Sequence, residues 1–200
     1  MNQHKGKRLY ITGIPTAGKS YLAQKLAEEV GSIAVSLDDF REALVFDERY
    51  KKWVEFYLDQ DEELYLKTTS PEQMWANLVA QSEAVWPAFM EQINSYADEE
   101  SPVIFECVNI LPHLAHKDLS FPGVCMIGAS YEEILARNIE EPRWGDTKEL
   151  QEQEAKMTFT IERPYYKSEA EKYGIPVFEN FDEAFKMALV LLNSSTARNE

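Results

Sequence analysis

The residues with the plainest chemistry are Gly13-Ile14-Pro15-Thr16-Ala17-Gly18-Lys19-Ser20. Their spacing is G-x-x-x-x-G-K-S, the pattern of a loop that wraps a phosphate chain. Gly13 and Gly18 carry no Cβ, so the backbone can close around an anion. The loop's N–H groups and the first turn of a following helix would point at that anion. Lys19 can reach the β- and γ-phosphates, and the Ser20 hydroxyl is a ligand for Mg²⁺. With Tyr21, these residues are the expected nucleotide-binding set, and Ser20 is the expected metal ligand.

Further charged residues stand where such a loop would need them. Asp38 follows the β-prone stretch Ser32-Ile33-Ala34-Val35-Ser36 and precedes Asp39-Phe40-Arg41. An Asp there could accept the proton of an acceptor hydroxyl; the plainer alternative is a helix N-cap. Arg41 lies one helical turn beyond Asp38 and on its face. It could hold an anionic group of the acceptor, or form a surface salt bridge. Glu106 ends the apolar run Pro102-Val103-Ile104-Phe105-Glu106-Cys107-Val108. It could ligate Mg²⁺ through water, bind an acceptor hydroxyl, or pair with a core Arg or Lys. Arg137 and Arg143 flank a helix end and could neutralise charge on a transferred phosphoryl group. Solvated charge is the alternative, and Arg163 and Lys167 are further candidates for that role. His113 and His116 are spaced H-x-x-H without evident further ligands, so a solvated or capping role is expected.

The elements that must position these groups alternate. Arg8-Leu9-Tyr10-Ile11-Thr12 reads as a strand, and the helix after the loop has apolar residues at 22, 23, 26, 27 and 30. A strand–loop–helix unit is the context that the loop pattern requires. Further strands are expected at 32–36, 102–108, 123–128 and 175–178. The apolar runs at 102–108 and 123–128 lack alternation, which suits a buried parallel sheet. The stretch 47–67 reads as charged, aromatic and mostly helical. Its aromatic residues, Tyr50 to Tyr65, suit core or acceptor-pocket packing, or a partner surface. Ser70-Pro71-Glu72-Gln73 and Ser130-Tyr131-Glu132-Glu133 read as capping boxes. Pro87 should kink the helix that Ser70 starts, and Pro164 should interrupt the helical stretch 149–173. The resulting class is α/β: about five parallel strands with helices on both faces. Gly13, Asp38 and Glu106 each follow a strand, so all three should gather at the sheet's carboxyl edge.

Bulk properties narrow the function. The chain of 200 residues, 44% hydrophobic and 28% charged, suits one globular α/β domain. Its formal net charge of −15 repels nucleic acid and anionic membranes at long range. Cys107 and Cys125 read as small core residues in a reducing compartment. No apolar run approaches membrane-spanning length, and a cytoplasmic location is expected.

These residues together resemble the P-loop small kinases, a group that includes shikimate and gluconate kinases, phage polynucleotide kinases and zeta-type toxins. The loop from Gly13 to Ser20 is their Walker A motif. Ser36-Leu37-Asp38-Asp39-Phe40-Arg41 is similar to the D-D-Y-R of polynucleotide 5′-kinases, which implies a base role for Asp38 and an acceptor-phosphate role for Arg41. The strand from Val103 to Pro112 resembles that of 2-phosphoglycerate kinase-like proteins, which implies an acceptor-site role for Glu106. Cys107 stands there in place of their Gly. The resemblance implies a three-layer P-loop NTPase fold over residues 1–200, with a small lid at about 137–165.

The expected function is transfer of the γ-phosphoryl group from ATP, with Mg²⁺, to a hydroxyl of a small metabolite. Lys19, Asp38 and Arg143 would be catalytic, Arg137 would contact nucleotide, and Asp38, Arg41 and Glu106 would contact the acceptor. Two alternatives stay open at this point: a polynucleotide 5′-hydroxyl kinase, against which the net charge argues, and a nucleotide-dependent switch with little transfer. The sequence also leaves open ATP against GTP, and which of Arg137, Arg143 and Arg163 is the lid arginine.

Overall fold

The computed structural model describes residues 6–142, 145 and 147–194. The elements run β1 (Arg8–Gly13), α1 (Lys19–Val30), β2 (Ile33–Ser36), α2 (Leu37–Ala43), α3 (Lys51–Val54), α4 (Glu62–Thr68) and α5 (Pro71–Asn94). They continue β3 (Val103–Glu106), α6 (Pro112–Asp118), β4 (Gly123–Met126), α7 (Tyr131–Glu140), α8 (Lys148–Met157), α9 (Arg163–Lys172), β5 (Val177–Phe178) and α10 (Phe181–Ser194). The strands form one five-stranded sheet in the order β2-β3-β1-β4-β5. Every pairing is parallel.

The topology explains the layers. The connection through α1 leads from β1 toward the β2 side, whereas those after β3 and β4 lead the other way. Right-handed crossovers in opposite directions place helices on opposite faces. Accordingly α1 packs with α10, and α6 packs with α9. All residues of β3 and β4 are buried, as their unbroken apolar runs require. Ile104, Phe105, Val124 and Ile127 have no exposed surface; burying each such side chain contributes about 1.5–3 kcal/mol.

Local chemistry sets the helix starts. The hydroxyls of Ser36, Ser70 and Ser130 accept from the N–H groups of Asp39, Gln73 and Glu133. The cap of α2 is therefore Ser36, and Asp38 is not a cap. The two capping boxes form only by half. The Gln73 amide donates to Asn77 Oδ1, and Glu133 takes the Ala129 N–H and pairs with Arg137.

The helix α5 runs unbroken through Pro87. Glu83, whose carbonyl loses its partner there, is exposed like Pro87 itself, so water can satisfy it. The stretch 47–67 is less helical than its pattern suggests. A 3-10 turn at Leu44–Phe46 and the short α3 precede a break that ends where Asp61 caps α4. Pro164 sits in the first turn of α9, just after a π turn at Thr158–Glu162.

One contact fixes where the phosphate loop begins. Gly13 has φ of 127°, and a Cβ there would overlap the Met126 carbonyl. Gly13→Ala should therefore lower stability by at least about 3 kcal/mol, a drop in Tm of roughly 6–12 °C. Gly31→Ala, at φ 66° with open space around it, should cost only about 1–2 kcal/mol. Thermal melts of the two variants check the difference.

Candidate functional site

The parallel sheet brings the loop, Asp38 and Glu106 to one edge. Gly13 ends β1, and the Ile14 N–H donates to the Met126 carbonyl at 3.1 Å. The loop then turns through Thr16, the one described non-glycine residue with positive φ, at 56°. Gly18, at φ 87°, starts α1 with no side-chain cap. The first N–H groups of α1 thus face the loop with no side chain competing for them, which leaves them for an anion.

Lys19 folds back over the loop. It is 6% exposed, and its Nζ donates to the Ile14 carbonyl at 2.8 Å. The Ser20 hydroxyl donates to Glu106 Oε1 at 3.1 Å. Glu106 closes β3, in register with Ile11 of β1 and Ser36 of β2, and is 3% exposed. Its Oε2 has no hydrogen-bond partner among the described residues. Burial pushes this carboxyl above its ordinary range, and the nearby Lys19 charge opposes the shift. An orphaned carboxylate oxygen beside a serine hydroxyl is a hard donor set of the kind Mg²⁺ takes.

Two cavities open on the loop and share Thr16, Lys19 and Ser20. The first, of about 520 Å³, is walled by the loop, Tyr21, Met126, Glu133, Arg137 and Phe181. Tyr21 is 55% exposed, and its ring lies 5.1 Å from that of Phe181. Arg137 donates to the Thr16 carbonyl and pairs with Glu133. The second cavity, of about 700 Å³, holds Asp38, Arg41, Glu42, Tyr57, Gln81, Glu154 and Glu162 along with apolar side chains. Lys19 and Ser20 therefore stand where the two cavities meet.

A buried polar network backs the second cavity. Asp38 Oδ1 is 3.0 Å from the Arg41 guanidinium, and its carboxylate also accepts from the Val108 N–H at 3.4 Å and the Cys107 thiol at 3.3 Å. Arg41 donates onward to Asn109 Oδ1. Asn109 in turn donates to Ser82 Oγ at 2.8 Å and to Gln81 Oε1 at 3.2 Å. These bonds hold Asp38 and Arg41 on the cavity wall. Burial and the Asp38 charge both push the Cys107 thiol up, which keeps it a neutral donor. Tyr57 is likewise raised by burial and by Tyr65.

The structure thus places Asp38, Arg41 and Glu106 around Lys19 and Ser20, while Asp39 is exposed. It does not bring Arg163 to either cavity wall, since Glu179 holds that side chain at 2.6 Å and Gly128 accepts from it. Lys167 is exposed on α9. Arg143 lies outside the described residues. His113 sits between Glu83 and Glu169, and His116 lies against the Tyr173 ring. Among the described residues no group of three or more His, Cys, Asp or Glu could hold a metal ion, and no helix is long and apolar enough to cross a membrane. Sequence reasoning missed Asn109, Gln81 and the thiol contact of Cys107. A neutral polar residue inside the mostly apolar run 103–111 was the available signal for Asn109.

No protein-family model matches the chain, and no curated protein matches it. Among solved structures it is similar to a shikimate kinase from Acinetobacter baumannii in complex with shikimate. The TM-score is 0.54 at 16% identity, covering 95% of this chain and 95% of that one. It is also similar to TT1252 from Thermus thermophilus, at a TM-score of 0.51 and 21% identity, covering 93% of this chain and 97% of that one. A protein from Eubacterium ventriosum matches at a TM-score of 0.51 and 12% identity, over 95% of this chain and 99% of that one. The fold is that of the P-loop small-molecule kinases.

The orphaned carboxyl has a measurable consequence. Because its folded pKa is raised, the folded state binds the proton more tightly. The stability this adds is present below the ordinary carboxylate pKa and is lost as pH rises through the folded value. Glu106→Gln keeps the shape and removes the buried charge. At neutral pH and without nucleotide it should stabilise by about 1–2 kcal/mol, or raise Tm by roughly 2–8 °C. Melts across pH 4 to 8 should show this gain growing with pH (the window follows from the ordinary value of about 4.3).

Proposed function

We propose that this protein transfers the γ-phosphoryl group of ATP to a hydroxyl of a small molecule. The observation that carries the reading is the meeting of two cavities at Lys19 and Ser20, with Asp38 on the wall of the second. Nucleotide phosphates lie in the loop, and the base lies in the first cavity against the faces of Tyr21 and Phe181. Arg137 leaves the Thr16 carbonyl for the phosphates. The acceptor lies in the second cavity with its hydroxyl directed at the loop.

Each residue then has a defined task. Lys19 neutralises charge on the transferred group. Asp38 accepts the proton of the attacking hydroxyl, oriented for it by the Val108 N–H, the Cys107 thiol and Arg41. Ser20 and Glu106 would hold Mg²⁺, with Glu106 supplying an oxygen that has no other partner among the described residues. A Mg²⁺ ion held there would offset the negative charge that develops on the phosphate oxygens. Residues 137–165 serve as the lid of one kinase-like domain spanning 1–200, and Arg143 is its proposed catalytic arginine. Support comes from α8, whose Glu154 and Met157 line the acceptor cavity.

Lys19→Ala should abolish nucleotide binding or turnover, which isothermal titration with ATP and an ADP-release assay would measure. Asp38→Asn should leave ATP affinity nearly unchanged and lower transfer by roughly 10²–10⁴-fold. Asp39→Asn, on the exposed side of α2, should transfer at the wild-type rate. Equal rates for the Asp38 and Asp39 variants would remove Asp38 from the chemistry.

A further inference from the structure

The lining of the second cavity says what kind of acceptor it takes. Besides Pro15 and Tyr57, six of its side chains are apolar: Val45, Val54, Leu58, Leu78, Val108 and Met157. They come from separate parts of the chain, on α3, on α5, at the end of α8 and on the segments beside β3 and α2, so the surface is assembled by the fold. Leu58 is 74% exposed, an apolar group standing uncovered at the wall. A volume of about 700 Å³ falls within the usual size of small-molecule sites.

The charges in the cavity point the same way. Its described lining carries the carboxylates Asp38, Glu42, Glu154 and Glu162 against two cations, Lys19 and Arg41. Lys19 is turned to the Ile14 carbonyl in the loop. Arg41 is engaged by Asp38 at 3.0 Å and by Asn109. Among the described residues, then, both cations of this cavity are already committed, and an acidic group on the acceptor would have to draw one of them from its present partners. A polyol would fare poorly as well, because hydroxyls facing the six apolar side chains would lose water without gaining partners.

We infer that the acceptor is an alcohol with no negative charge and with an apolar, ring-sized body. The inference rests on the phosphotransferase reading for its direction of transfer, and on the cavity alone for its chemistry. The hydroxyl end lies at Asp38, and the body lies on Val54, Leu58 and Leu78. The acceptor class differs from that of sugar acids and hydroxy acids, whose carboxylates need a free cation.

Three probes separate charge from polarity: cinnamyl alcohol, its para-carboxylate, and sorbitol. Ligand-observed saturation-transfer NMR on the full chain, with ADP and Mg²⁺ present, measures their binding without requiring turnover. Cinnamyl alcohol should bind. The carboxylate should bind about tenfold more weakly or worse, and sorbitol should show no transfer at the same concentration. Leu58→Ala, at an exposed position that the fold does not depend on, should weaken cinnamyl alcohol by about tenfold and leave ADP binding unchanged. The inference is overturned if sorbitol or the carboxylate binds as tightly as cinnamyl alcohol, if none of the three binds, or if Leu58→Ala has no effect. ATP titration of the same preparation separates the two readings. Tight ATP binding with a failed panel removes the acceptor class and keeps the kinase. A successful panel without ATP binding keeps the cavity chemistry and removes the kinase.

Discussion

The approach of Gly13 to the Met126 carbonyl holds the site together. It lets β1 run tightly beside β4 until the chain must turn, so the phosphate loop starts at a set place on the sheet's edge. From there the rest follows by register. Glu106 pairs with Ile11 and Ser36 in neighbouring strands, which brings it under the first turn of α1. Ser36 caps α2, which sets Asp38 and Arg41 one turn apart on a short helix above the same edge. A side chain on residue 13 would push β4 away, and every one of these distances would change.

The site places charge where folding alone would avoid it. A carboxylate that is 3% exposed with an orphaned oxygen costs free energy, and burial raises its pKa accordingly. The network behind Asp38 works in the opposite sense. Arg41, Asn109, Gln81 and Ser82 satisfy one another within the core of the α2–α5–β3 junction. A connected set of this kind rigidifies its members, so Asp38 is presented on a stiff wall. The two carboxylates thus differ in kind: Glu106 keeps an oxygen without a partner among the described residues, and Asp38 is braced on several sides.

The two cavities differ in character as well as place. The first offers aromatic faces and a guanidinium at the Thr16 carbonyl. The second offers apolar walls around carboxylates. The segment between α2 and α5, with its breaks at Asp47 and Asp61, supplies much of that second wall.

Local pattern determined a good deal. Strand–loop–helix order around Gly13–Ser20, the buried runs that became β3 and β4, and the serine caps at Ser70 and Ser130 all depend on nearest-neighbour chemistry. The parallel class and the shared edge for Gly13, Asp38 and Glu106 followed from alternation alone. Tertiary structure decided the remainder. Arg163 looks in sequence like any lid arginine, but Glu179 and Gly128 hold it elsewhere. Arg41 reads as an anion clamp or a surface salt bridge until Asn109 arrives from the turn after β3, 68 residues away. The pattern at 47–67 fitted core packing, an acceptor pocket or a partner surface alike, since helical periodicity reports which face is buried and not what lies opposite. Contacts between residues far apart in the chain decide which charges are spent and which are left to act, and no local spacing encodes that choice.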